Sequence, residues 1–572
     1  MSDSPTLLAT GGVLLAALLL PRLLERLKLS RAKHRSLAGH ARMAKRIAGL
    51  LPFYEYDEAQ IFRVDGAPPE VEAKRRSAFQ RLAARCAERY AKGLALSREA
   101  GPLLSDLQFT AAYRVPFQFS RYVRRHLPSA PFATATRGNR LIDADGNELI
   151  DLTGSYGVNV LGNEFYKTAI DAGVAEAREL GAVLGYYHPL VIANARRIAR
   201  IAGLDEVSFH MSGTEAVMQA VRLARYHTGK THLVRFCGAY HGWWGDVQPG
   251  PGNPVPADRT YTLKDMDERS LGVLRSRKDI ACVLVNPLQA LHPNSPAPGD
   301  SSLVAAGRRA GFDRAAYTDW LHRLREVCTA RGIPLIFDEV FVGFRLAPGG
   351  AQAYFGVQAD MVTYGKTLGG GLPVGVLVGK AELMRRFREE RPADLCFARG
   401  TFNSHPYVMG AMDAFLTHLE LPATRALYAG LDRCWDARAG RLNEQLTAAG
   451  LPVRVAHLST IWTVLYTTPS RYNWLFQQYL RREGLALSWV GSGRMVFSLD
   501  FTDADFDEVS QRFLRAARLM QEDGWWWVPA SASNARIGRQ LLREVLAARF
   551  GREAKPAAGA GLSAPFSPPS GR

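Results

Sequence analysis

Lys366 stands in a stretch built mostly of small residues, Tyr364-Gly365-Lys366-Thr367-Leu368-Gly369-Gly370-Gly371-Leu372-Pro373-Val374-Gly375. A lysine among glycines suits covalent capture of an aldehyde, because the amine needs close backbone approach and little bulk around it. Twenty-eight residues upstream, Asp338 ends the apolar run Pro334-Leu335-Ile336-Phe337, a pattern typical of a strand buried on both faces. A carboxylate placed there must be paired, since an isolated buried charge is very costly. A neighbouring arginine would serve, and so would a protonated pyridine nitrogen. The lysine and the acid together point to pyridoxal phosphate (PLP), whose aldehyde needs an amine and whose ring nitrogen needs an acid.

Such a cofactor also needs a phosphate seat and a flat apolar bed for its ring. Met211-Ser212-Gly213-Thr214-Glu215-Ala216 leads from the apolar end of a strand into a helical pattern (Val217, Ala220, Val221, Leu223, Ala224). Small residues at that turn free backbone N–H groups at the helix start, which makes Ser212, Gly213 and Thr214 the phosphate candidates. A plain serine N-cap would give the same short string. Ala239-Tyr240-His241-Gly242 follows the apolar Leu233–Phe236. Tyr240 is the stacking candidate, with His241 in the same motif, and Val340 would pack on the other face of the ring. A core tyrosine is the alternative for Tyr240.

The elements that must position these groups follow from the hydrophobic patterning. Between 165 and 415, helical patterns alternate with short apolar runs at Glu206–Phe209, Leu233–Phe236, Ala281–Val285, Leu335–Phe337 and Val374–Val378. That alternation predicts a mostly parallel sheet wrapped by helices. Asp145-Gly146-Asn147 between Leu141-Ile142 and Leu149-Ile150 predicts a hairpin. Residues 70–100 read as one amphipathic helix. The expected organisation is an apolar segment and basic stretch at 1–50, a helical extension at 51–104, and the N-terminal part of a small lobe at 105–164. The large cofactor-binding domain follows at 165–415, the C-terminal small domain at 416–552, and a disordered tail rich in Ala, Gly, Pro and Ser at 553–572. Trp525-Trp526-Trp527 fits either an interfacial belt or packing within the small lobe.

The chain has 572 residues, 47% of them hydrophobic, 22% charged, and a formal charge of +18. Its six cysteines (86, 237, 282, 328, 396 and 434) include no C-x-x-C pair, which argues against a metal site or a disulfide framework. Nine basic residues between Arg22 and Arg46 face one acid, Glu25, and the uncharged Thr6–Leu20 precedes them. A basic run joined to an apolar segment, not to stacking aromatics, speaks against nucleic acid and for an anionic membrane surface. Thr6–Leu20 is short for a span of roughly 20 residues. Three readings stand: a membrane anchor or interfacial helix made from 6–46, a helix docked against protein, and a cleaved signal. The first puts the bulk of the chain on the cytoplasmic face of a membrane.

From about 105 to 515 the chain resembles the class III aminotransferases of PLP fold type I, through Ser212–Ala216 with Arg222-Leu223-Ala224-Arg225, Tyr240-His241-Gly242, Asp338-Glu339-Val340 and Lys366. Gly343-Phe344-Arg345 and Gly349-Gly350-Ala351-Gln352 make it most similar to the glutamate-1-semialdehyde aminomutase subgroup. The resemblance implies an α/β fold with a seven-stranded, mostly parallel sheet and a smaller α+β lobe. It implies Lys366 and Asp338 as catalytic residues, no metal, and a homodimer with a shared active site. Thr401 in Gly400-Thr401-Phe402 would then reach the phosphate held by the neighbouring subunit. It implies an amino-acid donor, a carbonyl acceptor, and Arg494 as the residue that grips the donor carboxylate bidentately. A surface arginine at a strand start is the alternative for Arg494.

The sequence also departs from the subgroup. Ser155-Tyr156-Gly157 stands where Ser-Trp-Gly is usual, Asn163 replaces a histidine, Asn286-Pro287 replaces Glu-Pro, and Gln289-Ala290-Leu291 replaces a polar gateway. These changes put Tyr156 and Asn286 on the substrate side of a more apolar pocket, and the N-terminal anchor suggests a lipid-like or acyl-chain acceptor delivered at the membrane surface. Intramolecular aminomutation and the condensation of an amino acid with an acyl thioester remain as other reactions of the same cofactor.

Overall fold

The computed structural model describes residues 19–34, 39–113, 115–248, 250, 252–255, 258–291, 310–488 and 494–551. Its centre is a seven-stranded sheet built from β1 (Glu206–His210), β2 (His232–Phe236), β3 (Thr260–Leu263), β4 (Ile280–Val285), β5 (Leu335–Asp338), β6 (Met361–Gly365) and β7 (Gly375–Gly379). The spatial order is β1-β7-β6-β5-β4-β2-β3. Neighbours from β6 through to β3 are parallel, and β7 runs antiparallel to both β1 and β6. Strands β4 to β7 are buried along their whole length, which explains the near-continuous apolar runs of β4, β5 and β7. The fold is the α/β PLP fold type I. Strands β3 and β6 escape the apolar-run reading because Thr260-Tyr261-Thr262-Leu263 and Met361-Val362-Thr363-Tyr364-Gly365 mix hydroxyl groups into the pattern.

The register matters more for chemistry than the strand count. Asp338 pairs with Thr363 across β5 and β6, and Gly365 pairs with Gly375 across β6 and β7. Asp338, Lys366 and the turn after β1 therefore emerge at one edge of the sheet, the carboxyl ends of its parallel strands, where ligands bind in open α/β sheets.

A second lobe is formed by Val453–Leu458, Ile461–Tyr466 and Arg494–Val496, covered by the helices Leu431–Ala448 and Asp503–Glu522. The hairpin Arg140–Asp143 with Glu148–Asp151 joins this lobe, because Leu485–Ala486 pairs in parallel with Ile150–Asp151. Trp525 and Trp526 are buried, their indole N–H groups donating to Tyr479 Oη (2.7 Å) and Asn473 Oδ1 (3.0 Å), so they are packing residues.

The expected single helix over 70–100 is two, Pro69–Arg89 and Ala91–Ala100, broken at Tyr90. The carboxylate of Asp145, in the hairpin turn, accepts from Lys92 N (2.7 Å) and Gly93 N (2.9 Å), which caps the second helix from outside. Arg75 locks the extension to the small lobe: fully buried, it forks onto Asp65 and donates to the carbonyls of Phe62, Gly524 and Trp527.

Residues 6–18 of the apolar run and the tail 553–572, expected to be disordered, lie outside the described residues. Among the described residues no helix is long and apolar enough to cross a membrane. Residues 19–32 are helical and lean on the large domain, with Ala32 fully buried and its carbonyl accepting from Lys264 N (2.9 Å). Glu25 meets Arg277 (3.3 Å), and farther along Arg42 meets Asp258 (2.7 Å). Leu19, Leu20, Leu23, Leu24 and Leu27 of the same helix are exposed.

Candidate active site

Lys366 directly follows β6, and its backbone is left-handed (φ 47°) at the head of a short turn, Lys366–Gly369. A non-glycine residue in this conformation is strained, and such strain is characteristic of functional positions. The side chain turns into the interior. Its ammonium lies 5.3 Å from the centroid of the Phe341 ring. Burial lowers its pKa below the ordinary lysine value, Asp338 opposes that shift, and the charges of Arg345 and Arg494 add to it. The amine is thereby pushed toward its neutral, nucleophilic form.

Asp338 is almost fully buried at the end of β5. Its Oδ2 accepts from His241 Nδ1 at 2.8 Å, and its Oδ1 accepts from Val340 N at 3.2 Å. His241 is buried too, and burial holds its pKa below the ordinary histidine value. The contact fits a His241 ring that carries its proton on Nδ1. Tyr240 is half-exposed, and burial together with the Asp338 charge raises its phenol pKa.

The turn after β1 is shaped for a ligand that approaches backbone. Ser212 caps the helix Gly213–Thr228, accepting from Glu215 N at 3.2 Å. A methyl group on Gly213 would stand 2.5 Å from Val340 Cγ1, and one on Gly375 would stand 1.9 Å from the Ser212 carbonyl. A methyl on Gly242 would meet Thr214 Oγ1 at 2.5 Å. The Ser212–Thr214 turn, Val340 and the Tyr240–Gly242 loop therefore close on one another through glycines. The result is a helix N-terminus beside a buried acid and a buried amine, which fits a phosphorylated pyridine aldehyde: phosphate at the N–H groups, ring nitrogen toward Asp338, aldehyde toward Lys366.

Arg494 sits where its charge reaches Lys366, with its guanidinium 5.7 Å from the centroid of the same Phe341 ring. Tyr156 is half-exposed on the turn Gly154–Gly157. Asn286 is placed differently from the expectation that it faces substrate. Its amide donates to the Tyr240 carbonyl (2.8 Å) and accepts from Leu288 N (3.1 Å), so it is buried and committed to fixing the Tyr240 loop. Thr401 is exposed, and among the described residues of this chain no hydrogen bond joins it to the Ser212–Thr214 turn.

The sequence reading missed two contributors. Phe341 offers one aromatic ring to both the Lys366 amine and the Arg494 guanidinium. Arg345 is fully buried and donates to Thr460 Oγ1 (2.9 Å) and to the carbonyls of Phe497 (2.6 Å), Asn159 (2.7 Å) and Gly157 (3.4 Å). Burial lowers its pKa to about 10. It ties the end of β5 to the small lobe and to the turn that carries Tyr156.

Comparison with known proteins decides the family. The family profile described as "Aminotransferase class-III" matches residues 122–245 and 309–517. The chain belongs to the class III aminotransferases. It is a PLP-dependent transaminase by family and fold. Among curated relatives it is 35% identical over 346 residues to a glutamate-1-semialdehyde 2,1-aminomutase of Nitratidesulfovibrio vulgaris (strain DP4), covering 59% of this chain and 77% of that one. Among solved structures, one described as a transaminase with PLP bound superimposes with a TM-score of 0.61 at 26% identity, over 76% of this chain and 99% of that chain. A glutamate-1-semialdehyde aminomutase from Pseudomonas aeruginosa PAO1 in complex with PMP shares the fold, with a TM-score of 0.63 at 18% identity over 78% and 98% of the two chains.

Proposed function

We propose that this class III aminotransferase moves an amino group from an amino-acid donor to an aldehyde or ketone that carries an acyl or other lipid-like chain. The observation that carries the reading is the convergence of a Lys366 amine of lowered basicity, the buried Asp338–His241 pair and Arg494 on one place at the sheet edge. When bound, PLP supplies an electrophilic aldehyde and an electron-withdrawing ring. Lys366 would hold the cofactor through its ε-amine and, as the free amine, would take a proton from the donor α-carbon and give one to the acceptor carbon. Asp338, oriented by His241 and Val340 N, holds the proton of the ring nitrogen. Tyr240 and Val340 would flank the ring, Ser212, Gly213 and Thr214 would hold the phosphate, and Arg494 would orient the donor carboxylate.

The name of the curated relatives supports a second reading, an intramolecular aminomutase. An isotope-labelled amino donor separates the two: label in the amine product identifies transfer, and unlabelled product formed without any external donor identifies the mutase. Arg494→Ala should abolish use of amino-acid donors while PLP stays bound; unchanged donor turnover removes Arg494 from the site.

The assembly proposed is a homodimer in which Thr401 of one subunit serves the phosphate of the other. Trp243, which follows the Tyr240–Gly242 loop, and Phe397 and Phe402, which flank Thr401 in sequence, are exposed and support a covered surface. The chain is proposed to rest on the cytoplasmic face of a membrane through residues 6–46, supported by the outward leucines of helix 19–32 beside basic residues. Co-flotation with anionic vesicles, lost on deletion of that segment, tests the second point. Sedimentation of the purified protein tests the first.

A further inference from the structure

The helical extension does more than pack on the small lobe. A cavity of about 340 Å³ opens between the helix Pro69–Arg89, the segment 127–133 and the segment Leu485–Ser488. Its walls are mainly apolar, with Leu82, Leu127, Phe132, Leu149 and Leu487 among them. The helix wall lies ahead of the residues matched by the family profile, which begin at 122.

The floor of the cavity is the back of the active site. All four residues of the turn Gly154–Gly157 are left-handed, with φ of 52°, 46°, 55° and 98°. For Ser155 and Tyr156, which carry a Cβ, that conformation is strained. The turn places Ser155 and Tyr156 in the cavity lining, while a methyl on the adjacent Gly157 would lie 3.2 Å from Lys366 Cδ and 2.9 Å from the Phe341 ring. One short turn thus separates the cavity from the lysine.

Arginines outnumber carboxylates at the cavity. Asp143 is the lining carboxylate, and its oxygens are taken by Asp145 N, Asn147 N and Asn147 Nδ2. Arg85, Arg89 and Arg482 also line it, and among the described residues none of the three forms an ion pair with a carboxylate. Arg85 is exposed and marks the mouth.

We propose that this cavity receives the chain of the amino acceptor: a medium-length alkyl or acyl chain whose carbonyl end passes Tyr156 to reach Lys366 and whose far end carries a negative charge met by Arg85. This assignment rests on the amino-transfer reading above. The volume equals about eleven waters of the liquid, room for a chain of roughly that many carbons. An apolar pocket with one polar terminus at each end selects for length as well as charge.

The test uses the full chain loaded with PLP and two independent readouts. In the first, straight-chain ω-oxo carboxylates of increasing length serve as acceptors. The expected kcat/KM rises by about fourfold per methylene until the cavity is filled. Ala133→Phe, at an exposed position on the cavity wall, should abolish the gain for long chains and leave the shortest acceptor within about twofold. In the second, calorimetry measures binding of decanoate, which cannot be aminated. Wild type should bind it, Ala133→Phe should not, and Arg85→Glu should weaken it about tenfold. A kcat/KM independent of chain length, or decanoate binding unchanged in both variants, overturns the proposal. If decanoate binds only to the wild type while no carbonyl compound is aminated, the acceptor assignment falls with the amino-transfer reading, although the cavity stands as a chain-binding site.

Discussion

His241→Phe isolates one hydrogen bond at the base of the site. His241 Nδ1 donates to Asp338 Oδ2 at 2.8 Å, both groups are buried, and the remaining oxygen receives only Val340 N at 3.2 Å and, at 3.4 Å, Thr363 Oγ1. Phenylalanine keeps a flat ring in place and removes the donor without leaving a new orphan on its own side. A hydrogen bond to a charged group is worth about 1.5–3 kcal/mol. If that energy fixes the carboxylate in the orientation that holds the ring nitrogen's proton, its loss lowers kcat by about 10- to 150-fold. His241 does not touch the donor, so the donor KM should move little. His241→Gln, which offers an amide N–H in place of Nδ1–H, should recover part of the loss. The assay is stopped-flow measurement of the donor half-reaction, following the visible absorbance of the bound cofactor. A His241→Phe protein with kcat within twofold of wild type, or equal losses in the Phe and Gln variants, refutes the positioning role.

Two further outcomes follow from buried charges that face neutral partners. Arg345→Met leaves Thr460 Oγ1 and the carbonyls of Phe497 and Asn159 without their donor, and should lower unfolding stability by about 2–4 kcal/mol, read as a shift in denaturant midpoint at unchanged slope. Glu339, which accepts from Ala351 N and Gln352 N, is held by burial at a pKa of about 7 against an ordinary 4.5. The folded chain therefore keeps a proton that the unfolded chain releases, and stability falls as pH rises between those values, by about 3 kcal/mol at most. In Glu339→Gln this contribution should vanish, seen as a pH-dependent difference between wild-type and variant stability confined to that window.

The placing of Lys366 and Asp338 at strand ends was legible because its signal is local. Lys366 among glycines and Asp338 behind four apolar residues each carry their meaning within a few positions. The helix start at Ser212 was legible for the same reason, since a helix start is written in adjacent residues. What escaped depends on distant chain segments meeting. Asn286 reads as a substrate residue until the fold shows the Tyr240 carbonyl beside its amide. Arg345 acquires its role from Asn159, Thr460 and Phe497, none of which lies near it in sequence. The break at Tyr90 is imposed by Asp145, which no helical periodicity around residue 90 contains.

The most direct test of the whole account is where the cofactor is attached. Borohydride reduction of the PLP-loaded protein, followed by peptide mass spectrometry, should place the added cofactor mass on Lys366, and a Lys366→Ala protein should show neither adduct nor amino transfer. A cofactor adduct on a different lysine, or full turnover by Lys366→Ala, would contradict it.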